Sequence, residues 1–449
     1  MTFASPVAIE QTAGASSYPS ALQASDGTLW VAWQQYYETA SYMTYTPARG
    51  WSPIQTLPTP YRFVISPTLE QLHNSSLVLI WSSNQTGRWN LYSRLYTYGV
   101  WRSVVQLTTG SSFDDFFPEA AVSTNSTLYV FWERYFSSSS VSIYYKTLKG
   151  DMWSGETQLS TGTNVDVTPS AIGTFDGKIW VAWSRQNAAN YNVIYRTTDG
   201  VSWSPETLLT TSHYDIDPSL AQDRNGTIWI FFSREMQLSN GAGALFQQKL
   251  WYKNTLDGST WSADTQLTFY GDVNTPLDDL SPSVVQGFDK SLWIFYSTDF
   301  PFGAQYDIYY IKSSSISPVH NVVISQVQSG PYAFANNFAT VQVSLTNLGD
   351  FFETIQLTIT ATNLTSLTVA SSVTETIPIG ATTTTTVSFT FSWNTTSVSP
   401  GRYVITASFP RLTGQSLLAS GGDQLQLRVL TLLPPFKPGT CYNFRNCPI

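Results

Sequence analysis

The apolar positions of the chain fall into short strand-like runs that repeat. A run centred on proline recurs six times, at Pro19, Pro67, Pro118, Pro169, Pro218 and Pro282, with separations of 48, 51, 51, 49 and 64 residues. A turn and an aromatic-rich run follow each proline, as in Leu29-Trp30-Val31-Ala32-Trp33 and Ile179-Trp180-Val181-Ala182-Trp183; the others end in Trp81, Trp132, Phe232 and Tyr296. A third run ends in an aromatic residue and a base (Arg94, Lys146, Arg196, Lys253, Lys312), and a fourth begins at Trp51, Trp101, Trp153, Trp203 or Trp261. Four strands in each period of roughly 50 residues are the unit of a propeller blade.

The sixth period stops at Ser313 without a Trp-initiated strand. Phe3-Ala4-Ser5-Pro6-Val7-Ala8-Ile9 matches Trp51-Ser52-Pro53-Ile54-Gln55-Thr56-Leu57, so the opening residues are expected to complete the last blade and close the ring. Closure removes two exposed sheet edges. The pattern changes near Ile316-Ser317-Pro318. Trp gives way to alternating Val/Thr/Ile runs such as Ala339–Leu345, Thr354–Ile359, Thr382–Phe391 and Gln424–Val429, which read as a β-sandwich. The expected organisation is therefore all-β: a six-bladed β-propeller over residues 1–315, an immunoglobulin-like sandwich over 316–432, and an extended proline-containing tail over 433–449.

Composition sharpens this picture. Only 12% of residues are charged, and the net charge of −8 argues against nucleic acid and against anionic membrane surfaces. Beyond residue 316, four acidic residues face five basic ones, a net of +1, so the propeller region carries −9. No run of 18 apolar residues occurs, so no membrane span is expected. The N-terminus shows no basic-then-apolar leader, and a mature form is expected. Cys441 and Cys447 suit a small disulfide ring in an oxidising compartment, or two unpaired thiols. Most of the 16 Trp residues recur at one register in every repeat, which is what packing between blades requires.

Candidate chemistry gathers on one face, where loops from fourth to first strand and from second to third meet. Arg134, Arg185 and Arg234 follow the second strand in three successive blades, with Glu133 beside the first; Asp115, Asp166, Asp215 and Asp279 lie three residues before the proline in four. One reading is a polar funnel that grips an acidic or hydroxyl-rich ligand through arginine forks. The other, favoured, is a structural girdle of Asp–Arg pairs between blades. The aspartates are also a donor set for Ca²⁺, though no cofactor is otherwise implied. The three histidines share no motif, so no zinc site is expected. Glycosylation acceptors occur at Asn74, Asn84, Asn125, Asn225, Asn363 and Asn394; turn formation alone accounts for Asn74, Asn125 and Asn225.

The stretches Thr197-Thr198-Asp199-Gly200-Val201-Ser202-Trp203 and Thr255-Leu256-Asp257-Gly258-Ser259-Thr260-Trp261 resemble the Asp-box turns of the sialidase superfamily of six-bladed propellers, each one residue short between Asp and Gly. The box is a folding element in that family. The Phe-Arg-Ile-Pro stretch of sialidases is absent, so their activity does not carry over. Repeated Trp, Arg and Glu give a second, looser likeness to six-bladed fucose lectins. Region 319–430 resembles CARDB-type modules of prokaryotic surface proteins through Thr346-Asn347-Leu348-Gly349 and Pro400-Gly401-Arg402-Tyr403. These resemblances imply an extracellular surface protein that serves in adhesion, glycan binding or assembly into a layer or filament. Its partners would be a glycan, another surface protein or further copies of itself, and a binding role is favoured over catalysis. The alternative is a secreted glycoside hydrolase or lyase with its site on the top face.

Overall fold

The computed structural model describes residues 2–433 except for 10–13, 58–62, 239–244, 301–304, 315–319, 381–384, 413–424 and scattered single residues and pairs; nothing is described from 434 onward. Every regular element described is a β-strand, and no helix among the described residues is long and apolar enough to cross a membrane. The chain divides into two compact units, Met1–Ser317 and Pro318–Ile449.

Among its described residues the first unit contains six antiparallel sheets, each with a four-strand path. Sheet 1 is built from Ser16–Gln23, Leu29–Gln35, Thr39–Thr46 and Gly50–Trp51. Sheets 2 to 5 repeat this order, their first strands being Val64–Gln71, Asp114–Val122, Asp166–Gly173 and Asp215–Gln222. Sheet 6 takes Asp279–Gln286, Leu292–Thr298 and Asp307–Lys312 from its own period and Val7–Ala8 from the N-terminus, with Val7 opposite Tyr310. The first strands touch in cyclic order, sheet 1 to 2 and onward to 6, which returns to 1. The all-β architecture expected from the repeat is present.

The recurring proline explains the shape of the inner strands. Proline lacks an N–H and cannot donate to the ladder. In each of the six first strands the pairing skips two residues, the proline and the residue before it, as between Ser17 and Ser20 or Val167 and Ser170. The skipped residues Tyr18, Ser66, Phe117, Thr168, Asp217 and Ser281 all have φ between 47° and 53°. A side chain in this left-handed region costs on the order of 1–3 kcal/mol. One position past four of the prolines, hydroxyls tie neighbouring sheets: Ser20 Oγ accepts from Leu69 N at 3.0 Å, Ser170 Oγ from Leu220 N at 3.0 Å, Ser219 Oγ from Val284 N at 3.0 Å and Ser283 Oγ from Ala21 N at 2.9 Å.

Between sheets lies the apolar filling. Trp33, Trp81, Trp132 and Trp183 are fully buried, and each core cluster draws on two adjacent sheets; Trp33 packs with Phe295 and Ile308, and Trp81 with Ala32 and Leu57. Burial of one such ring removes about 150–250 Å² from water. The repeated tryptophans are core residues.

The second unit has a three-stranded sheet (Val322–Ser329, Phe338–Asn347, Thr385–Asn394) and a five-stranded one that includes Glu353–Asn363, Val369–Ile379 and Gly401–Ser408. Alternate residues of both supply one core: Val341, Val343 and Leu345 from the first, Ile355, Leu357, Ile405 and Ala407 from the second. Period-2 patterning produced this two-layer packing.

Candidate functional site

A cavity of about 340 Å³ lies where the first strands begin and the second-to-third hairpins turn. The left-handed residues Tyr18, Thr168, Asp217 and Ser281 line it, with Tyr191, Tyr214, Gln248 and Tyr306 around them. The bulge makes the site: reversing φ at the residue before proline turns that side chain out of the ladder and leaves its amide for another acceptor. Thr168 N donates to Glu133 Oε2 of sheet 3 at 3.0 Å, and Tyr18 N to Ser297 Oγ of sheet 6 at 3.2 Å.

Among the described residues, the cavity wall carries a carboxyl group and several hydroxyls and no Lys, Arg or His. Asp217 Oδ2 accepts from Ser281 Oγ at 2.8 Å. Burial raises the Asp217 carboxyl above the usual range, and hydrogen bonds from Ser281 and Thr168 offset part of that rise. Behind Thr168, burial pushes Glu133 up to about 8, opposed by the Thr168 N–H and reinforced by the charge of Asp217. Two carboxyl groups with raised pKa thus share Thr168 as a neighbour. The rings of Tyr191 and Tyr214 meet edge to face at 5.0 Å; burial raises both phenols, helped by Glu133 at Tyr191 and by Tyr191, Glu235 and Asp217 at Tyr214. Such a wall can donate and accept hydrogen bonds and hand over a proton.

The arginines and aspartates named from sequence lie outside this wall. Asp166, Asp215 and Asp279 precede lining residues Val167, Ile216 and Leu280 by one position, and strand alternation turns them the other way. Arg134 grips Asp115 at 2.8 and 2.9 Å and Glu156 at 2.7 Å; Arg185 grips Asp166 at 2.6 and 3.0 Å and Glu206 at 2.6 Å; Arg234 grips Asp215 at 2.6 and 2.9 Å and Asp264 at 2.6 Å. These pairs join the first two strands of one sheet, not neighbouring blades as expected, because Asp and Arg are direct cross-strand partners. Asp279 differs: its partner is the buried Lys249 of sheet 5, at 2.9 Å. Of the named residues, Glu133 reaches the cavity wall through its bond from Thr168 N. Among the described residues no group of three or more His, Cys, Asp or Glu side chains could hold a metal.

Sequence reasoning passed over Asp217, the four tyrosines, Glu70 and Glu119. The residue before proline varies (Tyr, Ser, Phe, Thr, Asp, Ser) while its surroundings repeat, and that variation was the available signal. Of the glycosylation acceptors, Asn74 and Asn125 are exposed, Asn84 and Asn363 half-buried, and the side chain of Asn394 lies outside the described residues. Asn225 is also half-buried, with its Oδ1 enclosed. Cys441 and Cys447 also fall outside the described residues. The Asp199 and Asp257 turns cap their own backbone, with Asp257 Oδ1 accepting from Ser259 N at 2.8 Å and Thr260 N at 2.6 Å. They lie between third and fourth strands, at the end opposite the cavity.

No protein-family model matches the chain, and no curated protein matches it in sequence. Solved structures do. A protein of unknown function from Dyadobacter fermentans has a TM-score of 0.56 at 10% identity, over 69% of this chain and 98% of its own. A mutant α-L-arabinofuranosidase from Fusarium graminearum, in complex with an iminosugar inhibitor, has a TM-score of 0.53 at 13% identity, over 69% and 97%. The fold is a β-propeller. At these identities the propeller likeness extends to the fold alone.

Proposed function

We propose that the cavity binds a neutral saccharide and that the propeller cleaves a glycosidic linkage there, the reading that came second on sequence. The observation that carries it is the wall itself: a carboxyl group of raised pKa among tyrosine hydroxyls, with no Lys, Arg or His among the described lining residues. Anionic sugars call for Arg or Lys on the wall, and elimination next to a uronate needs its charge neutralised, so hydrolysis is favoured over lyase chemistry. Asp217 gives its proton to the leaving glycosidic oxygen, water adds at the anomeric carbon and returns a proton to the Asp217 carboxylate, Glu133 keeps a second acidic proton behind Thr168, and the tyrosines orient the sugar. The fold likeness to an arabinofuranosidase supports the class without fixing the sugar.

The rest of the assignment follows the same reading. The six sheets are the blades of a six-bladed propeller, supported by the cyclic contacts of their first strands. The second unit is an immunoglobulin-like module, supported by Tyr403, whose hydroxyl donates to Ser399 O at 2.6 Å in the manner of a tyrosine corner. The protein acts outside the cell, where polymeric glycans are met.

The test is a panel of neutral polysaccharides assayed for reducing-end release with wild type and Asp217→Asn. We expect cleavage of one class by wild type and a loss of about 10²–10⁴-fold in the variant. Binding without cleavage would return the propeller to an adhesive role and remove the enzyme.

A further inference from the structure

The exposed aromatic residues of the first unit are not spread evenly. Tyr36, Phe63, Tyr135, Phe136, Phe246 and Phe269 are all more than a third exposed, and all lie at the cavity end. The opposite end exposes aliphatic side chains instead, among them Val100, Met152, Val201 and Leu256. Apolar surface kept exposed on one face of a folded ring marks a place where something binds.

Part of this surface is organised. Trp89 of the sheet 2 hairpin packs on Phe116 of sheet 3 with ring centroids 5.4 Å apart, and Phe116 meets Tyr135 at 6.4 Å. Phe136, next in line, meets Phe113 at 5.8 Å. Trp89 is held from both sides of its backbone: its N–H donates to Asp114 Oδ1 at 2.9 Å, and its carbonyl accepts from Asp115 N at 2.9 Å. A ring fixed before binding loses little freedom on binding. The neighbouring residue of Phe116 links this shelf to the cavity, because Phe117 meets Tyr18 of the cavity wall edge to face at 5.0 Å. The exposed cation beside Trp89 is Arg88, and it is paired with Asp114 at 3.1 Å.

We infer that the Trp89–Phe116–Tyr135 shelf is a second saccharide subsite, continuous with the cavity, and that the ligand is an extended neutral glycan chain several units long. This rests on the saccharide reading of the cavity and extends it from a single residue to a polymer. Sugar rings present C–H faces that pack on aromatic faces while their hydroxyls stay in water, and a row of such rings suits consecutive units. Among the described residues of the shelf, the exposed cation Arg88 is already paired with Asp114, which disfavours selection of sulfate or carboxylate.

The experiment measures binding of neutral arabino-, xylo- and gluco-oligosaccharides of one to six units to wild type, Trp89→Ala, Tyr135→Ala and Trp89→Phe. Intrinsic fluorescence and calorimetry give the affinities, and thermal melts confirm folding. Wild type should gain affinity with length. Tyr135→Ala and Trp89→Ala should each bind the hexamer about tenfold more weakly, with dimer affinity unchanged, and Trp89→Phe should recover most of the loss. Equal wild-type affinity for dimer and hexamer would overturn the shelf and leave the cavity reading standing. Absence of binding at any length would overturn both. If Trp89→Ala fails to fold, Tyr135→Ala carries the test alone; an unchanged length dependence there also sinks the inference.

Discussion

Sheets 3 to 5 and sheets 1 and 2 solve the same packing problem in different ways. In sheets 3 to 5 an aspartate at the start of the first strand faces an arginine on the second, and a further carboxylate from the fourth-strand region completes the clamp. In sheets 3 and 4 the same aspartate also accepts from the core indole, Trp132 Nε1 at 2.9 Å and Trp183 Nε1 at 3.1 Å. Sheets 1 and 2 place Ser16 opposite Gln35 and Val64 opposite Ser83 at the matching positions, with no ion pair. Their core indoles, Trp33 and Trp81, are buried with Nε1 unbonded. All five sheets nonetheless pack into the ring. The aromatic filling therefore supports the ring, and the clamp is an addition whose desolvation cost about matches its attraction.

That view is easiest to break at the clamp. Arg134→Ala leaves Asp115 buried and uncompensated, and should destabilise the first unit by about 3–5 kcal/mol in chemical denaturation. Replacement of Asp115, Arg134 and Glu156 together by Val, Met and Gln should cost much less, since nothing charged is stranded. Equal losses from both would show that the clamp holds the ring after all.

The next effect concerns pH, and it sits at the boundary between the two groups of sheets. Glu70 of sheet 2 and Glu119 of sheet 3 are adjacent acids on the inner strands, and burial pushes each up to about 8, the charge of Glu70 adding to the rise at Glu119. Their folded pKa lies above the unfolded one, so the folded state holds more protons between them. Stability should be complete below about pH 4.5 and fall as pH climbs to about 8. Melting temperature should drop by several degrees between pH 5 and pH 8.5, and Glu70→Gln with Glu119→Gln should flatten that slope. A slope unchanged in the double variant would mean that these two acids are already ionised.

The smallest effect sharpens the contrast most directly. Trp132→Phe removes a donor from a buried carboxylate and should cost about 1.5–3 kcal/mol beyond the lost area. Trp81→Phe removes an indole N–H that has no acceptor, so only the lost area should register. Similar losses at both positions would point to an acceptor at Trp81 that the comparison has not credited.

The ring was legible because its determinants are local and repeated. Proline spacing, aromatic second strands and the displaced Phe3–Ile9 segment each reflect a packing rule that acts at every blade. The cavity was less legible because it depends on the positions where the repeat is broken. Asp217 looks like one more polar residue before a proline until φ reversal turns it inward beside Thr168 and Ser281. Recurrence instead drew notice to Arg134, Arg185 and Arg234, whose regularity follows from cross-strand pairing inside each sheet. In this ring, repetition marks what holds the blades together, and departure from repetition marks what they present to a ligand.

The seam between Val7–Ala8 and Asp307–Lys312 has a consequence for synthesis. Val7–Ala8 is synthesised well before the sheet it completes, so five sheets can assemble while that segment waits for residues made some 300 positions later. Until then the nascent toroid keeps an open flank with two unpaired borders. A permuted gene that begins after Ile9 and ends with that segment would let each wedge complete itself in order, and the difference in yield between the two forms would measure the cost of leaving the gap open.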